Sequence, residues 1–229
     1  MTNFSHPKFK PLSGKKVLIN AGPTREPIDP VRFISNYSTG KMGIALADAA
    51  ASYGAEVTIV LGPTTVYPTH SSIKVIGVVT AAEMAEKCIS LFPVCDIAIL
   101  AAAVADYTPE SPSSSKIKKS GNRLILKLKP TIDIASELGK IKKPGQVLAG
   151  FALETNNEME NAMAKLKRKN LDLIVLNSLR DEGSGFGYDT NMITIIDRNN
   201  NIDKFELKSK EESAKDILNK IVSLTGSRV

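Results

Sequence analysis

Residues 33–43 read FISNYSTGKMG and run into the alanine-rich stretch IALADAAASYG. Asn36, Ser38, Thr39, Lys41, Gly40 and Gly43 are residue types suited to receiving an anion. A helix starting here would aim free N–H groups and the positive end of its dipole at whatever lies in front of it. Glycine lets a phosphate approach the backbone closely. An ordinary helix cap followed by a tight-packing glycine accounts for the same residues, and their types leave both readings open.

Two familiar motifs lie close and fail. A P-loop needs a glycine, four residues, then Gly-Lys-Ser/Thr; here Ser35 stands at the first glycine and Met42 where the magnesium-binding hydroxyl belongs. Tyr37 and Lys41 spell Y-x-x-x-K, the short-chain dehydrogenase pair, but they precede the first helix. The strand before them ends in NAGPTREP, without G-x-G-x-x-G.

Other segments carry candidates of their own. Asp106 closes AAAVAD, where small alanines would let a ligand lie against the backbone, or where the aspartate caps a turn. Lys116, Lys118 and Lys119 sit in a Pro/Ser-rich, basic loop; solvation alone explains them as well as a ligand does. Lys165 and Lys169 share one face of a helix at i, i+4, where they either stabilise its C-terminus or reach outward. Phe151 reads first as core. Cys88 and Cys95 read as buried apolar positions with no histidine nearby to make a thiolate.

These residues need elements to hold them. The segments KKVLINAGPT, AEVTIVLGPT, SIKVIGVVT, CDIAILAAAVADY, GQVLAGFALET and LDLIVLNS read as strands, and CDIAILAAAVADY as one near-continuous buried strand. Helices are expected over about 40–53, in AAEMAEKCISLF, and in NNEMENAMAKLKRKN with an Asn cap. Alternation of this kind predicts an α/β fold: a doubly wound, Rossmann-like, mostly parallel sheet whose ligands gather at the carboxyl ends of the strands. The tail adds a strand pair, MITIID and NIDKFEL, and a closing helix from KEESAKDILNKIVSL. The 229 residues read as a single domain, 1–229, with 1–13 an irregular lead-in and 107–123 a mobile flap.

Bulk properties narrow the class. The chain is 42% hydrophobic and 24% charged, as soluble globular proteins are. Its net charge of +6 suits a lysine-rich surface or small phosphorylated ligands. It shows no arginine-rich tail and no basic-aromatic interleaving, which argues against nucleic acid. No apolar run approaches the roughly 20 residues of a membrane span, and no signal peptide is evident. Two cysteines and two histidines far apart form no zinc set, and reduced thiols in the cytoplasm are expected.

The strings AGPTREPIDPVRFISNYSTGKMG, AAAVADY, KIKK, GFALETN and KRKNLDLIVLN, in this order over about residues 13–225, resemble bacterial phosphopantothenoylcysteine synthetase. That coenzyme A pathway ligase is often the C-terminal half of a fusion with a flavin-dependent decarboxylase, a half absent from these residues. The resemblance implies joining of 4′-phosphopantothenate to cysteine through an acyl-cytidylate made from CTP with Mg²⁺, held through the CTP phosphates. It also implies a homodimer.

The same resemblance implies residue roles. Asn36 would contact the pantothenate end and the activated acyl group and assist the second step. Ser38, Gly40 and Gly43 would face the triphosphate. Leu100, Ala101, Ala102 and Asp106 would lie along the nucleotide, with Ala102, Ala103 and Asp106 also lining its joint with pantothenate. Lys116 would act from a flap closing on the triphosphate. Ile132, Asp133, Ile134 and Ala135 would frame the cytosine. Phe151 would pack on the nucleotide, and Lys165 and Lys169 would reach its ribose or phosphates. Arg32 would serve the neighbouring subunit's substrate. Three strings depart from the family's usual form: Ile132 replaces the proline of PTPDI, Leu153 an alanine of GFAAET, and NYST a commoner Ser-Ser ending, which keeps a hydroxyl at Thr39.

Overall fold

A computed structural model describes residues 10–119, 121, 123–154, 156–178 and 187–226; most of the expected lead-in, 1–9, lies outside the described residues. In chain order the first elements are β1 (Lys16–Ala21), β2 (Arg25–Pro27), β3 (Phe33–Ser35), α1 (Lys41–Ser52), β4 (Glu56–Leu61), β5 (Lys74–Gly77) and α2 (Ala81–Leu91). Then come β6 (Ile97–Leu100), β7 (Tyr107–Pro109), β8 (Leu128–Pro130), α3 (Ile134–Ile141), β9 (Val147–Glu154), α4 (Glu158–Arg168) and β10 (Leu173–Ser178). The chain closes with β11 (Thr190–Asn191), β12 (Ile193–Asp197), β13 (Ile202–Lys204), β14 (Lys208–Ser209) and α5 (Lys210–Leu224).

The central sheet has eight strands in the order β13-β12-β10-β9-β6-β1-β4-β5. From β10 to β5 all neighbours pair in parallel, and β12 and β13 add an antiparallel edge. The inner strands are apolar on both faces because helices cover both. Leu46 and Ala47 of α1 and Ile217 and Leu218 of α5 pack on one face. Met84 of α2, Leu138 of α3 and Leu166 of α4 pack on the other. The chain leaves β1 toward β4 and β5, but leaves β6 toward β9 and β10. This reversal between β1 and β6 opens a crevice at their carboxyl ends, the place where ligands bind in such sheets.

Three expectations are corrected. The strand expected through CDIAILAAAVADY stops at Leu100. Residues 101–106 instead cross the sheet edge as a loop, because β1 has ended beside them and polar side chains take over their backbone groups. The segment expected as a flap over 107–123, of which residues 120 and 122 lie outside the described residues, closes later: β7 and β8 pair antiparallel, Tyr107 opposite Pro130, so its base runs to 130. Asn157 does start α4, but in the left-handed region (φ 46°) and with no side-chain cap bond. The helices α2 and α5, in contrast, begin in reciprocal capping boxes, Thr80 with Glu83 and Ser209 with Glu212.

Helix α1 lies very close to β1. A Cβ placed on Gly43 would stand 2.4 Å from the Ala21 Cβ. This approach sets the start of α1 at the end of β1, beside the crevice. Gly43→Ala should therefore destabilise the fold by about 1–3 kcal/mol through overpacking. Adding Ala21→Gly should recover part of the loss, and urea-midpoint shifts for the single and double variants check it.

Candidate functional site

A cavity of about 800 Å³ occupies the crevice. Its wall includes Asn36, Ser38, Gly40, Gly43, Leu100, Ala101, Ala102, Ala103, Asp106, Ile132, Asp133, Ile134, Ala135, Phe151, Lys165 and Lys169, every residue to which the resemblance gives a role except Lys116 and Arg32. The wall is built from loops at the sheet edge together with Phe151 of β9 and Lys165 of α4, which lean over it.

The floor is the alanine loop. Ala101 N–H donates to the Asn20 carbonyl at 3.2 Å, and Ala103 N–H to Gly22 at 3.0 Å. The buried Asn20 Oδ1 accepts from Ala102 N–H at 3.0 Å, and the Thr24 hydroxyl accepts from Ala105 N–H at 3.0 Å. The Thr131 hydroxyl donates to the Ala105 carbonyl at 2.6 Å. Asn20, Thr24 and Thr131 thus hold a stretch with no polar side chains of its own. Sequence reasoning passed over them, although a lone asparagine in the apolar run VLINA was a signal for Asn20.

Asn36 is latched onto this floor. Its Nδ2 donates to the carbonyls of Ala103 and Val104, each at 3.1 Å. Both amide hydrogens are spent, so the side chain offers its carbonyl oxygen as an acceptor.

At the start of α1, Gly40 takes the N-cap position with φ 78°, and no side chain caps the helix. The Ser38 hydroxyl accepts from Gly40 N–H at 3.3 Å, and the first helical bond runs from Ile44 N–H to the Gly40 carbonyl. The first-turn N–H groups are left for another partner. Gly43 is thus a packing glycine, and the helix start carries no side-chain cap.

Across the sheet edge, Asp133 caps α3 by accepting from Ser136 N–H at 3.0 Å and pairs with Lys169 at 2.8 Å. Burial opposes its charge, but Lys169 and Ser136 prevail and hold its carboxyl below the usual carboxylate range. Lys165 lies beside them; burial first, then the Lys169 charge, pull its ammonium below the ordinary lysine value. Two further lysines line the cavity: Lys41, already among the anion-receiving residues of the helix start, and Lys210, which no sequence motif marks.

Lys116 and Arg32 stand apart from the cavity. Lys116 is exposed on the flap. Arg32 pairs with Asp29 and donates to the Ile117 carbonyl at 2.9 Å, while Ile117 N–H donates to Asp29 at 3.1 Å. The Arg32 guanidinium holds the Asp29 carboxyl well below the usual carboxylate range. This pair pins the flap next to Lys116.

The family described as the DNA/pantothenate metabolism flavoprotein C-terminal domain matches residues 12–224. The chain belongs to this family. It is 45% identical over 229 residues to the coenzyme A biosynthesis bifunctional protein CoaBC of Bacillus subtilis (strain 168), covering 99% of this chain and 56% of that one. It is 65% identical over 215 residues to a cysteine/cysteine sulfinic acid decarboxylase from an unknown prokaryotic organism, covering 94% of this chain and 60% of that one. The chain thus spans little more than half the length of these relatives. The crystal structure of a CoaBC C-terminal domain superposes with a TM-score of 0.81 at 38% identity, over 96% of this chain and 100% of that one. The doubly wound, mostly parallel α/β sheet is the fold of this family.

Among the described residues no group of three or more His, Cys, Asp or Glu side chains is placed to hold a metal. None of their helices is long and apolar enough to cross a membrane. Cys88 is buried, and burial pushes its thiol up to about 12; burial also raises Cys95. Neither is a poised nucleophile. Iodoacetamide at pH 8 should leave Cys88 unlabelled in the native protein and label it fully after denaturation, as read by mass spectrometry.

Proposed function

We propose that this chain is a phosphopantothenate–cysteine ligase acting in coenzyme A biosynthesis through an acyl-cytidylate. The observation that carries the reading is the single cavity joining an uncapped helix start, an alanine floor, an Asn36 acceptor and a set of lysines. The name decarboxylase, borne by one relative, describes a longer protein of which this chain matches 60%.

In the first step a carboxylate oxygen of 4′-phosphopantothenate attacks the α-phosphorus of CTP, and the bond to pyrophosphate breaks. One anion then approaches another, so positioning and preorganised positive charge supply much of the rate. The N–H groups ahead of α1 favour the triphosphate. Backbone and side chains of Ile132–Ala135 suit the base, Phe151 its flank, and Lys165 and Lys169 the ribose or phosphates. The alanines of the floor let the reacting groups lie close to the backbone. Magnesium would enter with the triphosphate, neutralising its charge; Asp133 is committed to Lys169, which leaves Asp106 as the wall carboxylate available to the ion.

In the second step the cysteine amine attacks the acyl carbon, a C–N bond forms, CMP leaves, and the amine gives up a proton. Asn36 supports this step because its remaining polar atom is an acceptor. Its Oδ1 would take a hydrogen bond from the amine and hold the nitrogen against the acyl carbon.

Lys116 belongs to the same reading as a cation delivered by the flap, with Asp29 and Arg32 anchoring the flap's backbone. A homodimer also belongs to it: Val31, Phe33 and Tyr37, around the β2–β3 hairpin, are 60%, 48% and 92% exposed. Such apolar exposure suits an interface that would bring Arg32 to a neighbouring subunit. The free thiols suit a cytoplasmic setting.

The assay is pyrophosphate release from CTP in the presence of phosphopantothenate and Mg²⁺, followed by amide formation on adding cysteine. Absence of release at saturating substrates overturns the reading. Asn36→Asp would set carboxylate oxygens against the Ala103 and Val104 carbonyls and undo the latch. It should slow amide formation by about a hundredfold while pyrophosphate release falls far less. Rapid-quench measurement of the two steps checks this, and equal losses would remove the role from Asn36.

A further inference from the structure

Lys41 is the first residue of α1, and Lys210 is the first residue of α5. A cation at a helix N-terminus faces the positive end of the dipole and is unfavourable there. Here two such cations lie close together, and Lys41 helps pull the Lys210 ammonium below its ordinary value, second only to burial. Lys210 is only 6% exposed. The arrangement therefore concentrates positive potential beside the two helix starts.

Residues 188–190 hold it in place. The Tyr188 and Thr190 carbonyls accept from Lys210 Nζ. The Asp189 carbonyl accepts from Lys210 N–H at 3.0 Å, and the Asp189 carboxylate pairs with Lys41 Nζ at 2.5 Å. One residue thus bridges the two helix starts.

The surroundings say which way the charge works. Lys41 and Lys210 separate the main cavity from a second depression of about 470 Å³. That depression is balanced, with Lys41, Lys210 and Lys215 against Asp48, Asp189 and Glu211. The main cavity has Lys41, Lys165, Lys169 and Lys210 against Asp106 and Asp133 only. Lys165 and Lys169 come from one face of the sheet, and Lys41 and Lys210 from the other. The Asp189 carboxylate is largely exposed, so its hold on Lys41 is an exchangeable surface pair.

We propose that Lys41 and Lys210 form a diphosphate site for the terminal phosphates of the nucleotide and for the pyrophosphate product, with Asp189 as the counter-ion that Lys41 exchanges for phosphate. On binding, the Lys41 ammonium swings from Asp189 into the main cavity, and Lys210 adds its fixed charge from behind. This inference rests on the ligase reading for its nucleotide but makes a claim about anion binding that needs no turnover.

The test is calorimetric titration of the full chain with inorganic pyrophosphate, with CMP, which lacks the terminal phosphates, as the reference ligand. Lys41→Gln should weaken pyrophosphate binding about tenfold. Asp189→Asn should strengthen it by about threefold, since the competing carboxylate is gone. Both should bind CMP as the wild type does. Lys41→Arg, which keeps the charge, should stay within about threefold of wild type and guards against loss of folding in the Gln variant. Unchanged pyrophosphate binding in Lys41→Gln, or weaker binding in Asp189→Asn, overturns the inference. So does a wild type that binds CMP but not pyrophosphate. Turnover failing while pyrophosphate binding follows this pattern would instead remove the ligase reading and leave the anion site standing.

Discussion

The buried carboxamide of Asn20 supports everything above it. Beyond β1 and β6 the ladder thins out: Ala101 and Ala103 N–H still reach the Asn20 and Gly22 carbonyls, while Ala102 and Ala105 N–H need other partners. Buried backbone groups left unpaired are costly. Asn20 and Thr24 supply acceptors from side chains, and Thr131 supplies a donor. The alanines can then form a smooth floor, and Asn36 has two carbonyls to latch onto. Removing that support would release the floor and with it the orientation of Asn36.

A second constraint is electrostatic. Four lysines line one cavity. Lysines facing one another repel, and burial penalises each of them. The structure meets this with carboxylates set beside them: Asp133 holds Lys169, and Asp189 holds Lys41. Both aspartates also serve the local fold, Asp133 as the cap of α3 and Asp189 through its carbonyl at the start of α5. Linking charge balance to helix starts ties the cavity's potential to the packing of helices on both faces of the sheet.

The flap shows the same economy. Its base is a short antiparallel ladder, and its far arm is tied to the β2–β3 region through Asp29, Arg32 and the Ile117 backbone. Lys116 is therefore neighbour to a fixed point although its own side chain lies in solvent. Motion of the flap would have to act through this clasp.

Local patterns made much of this legible in the sequence. Apolar runs ending in Gly-Pro announced buried strands, and their alternation with helical spacing announced a parallel sheet with its site at the carboxyl edge. The start of α1 was readable from Ser38, Gly40 and Gly43, because glycine and small polar residues mark helix starts; that no side chain caps it was not. The strand expected beyond Leu100 was misread because alanines fit a strand, a helix or a loop equally well; only the neighbouring polar side chains decide. Lys41 and Lys210 lie 169 positions apart, and nothing local links them. Their meeting, like the pairing of Asp29 with the flap and of Asp133 with Lys169, is set by which face of the sheet each helix covers. Periodicity and turn chemistry are local, so they mark the main strands, four of the helices and the edge where these converge, but not α3 or the short strand pairs. Charge placement is a matter of distance through space, so only the tertiary structure decided which side chains share the cavity and which ones restrain them.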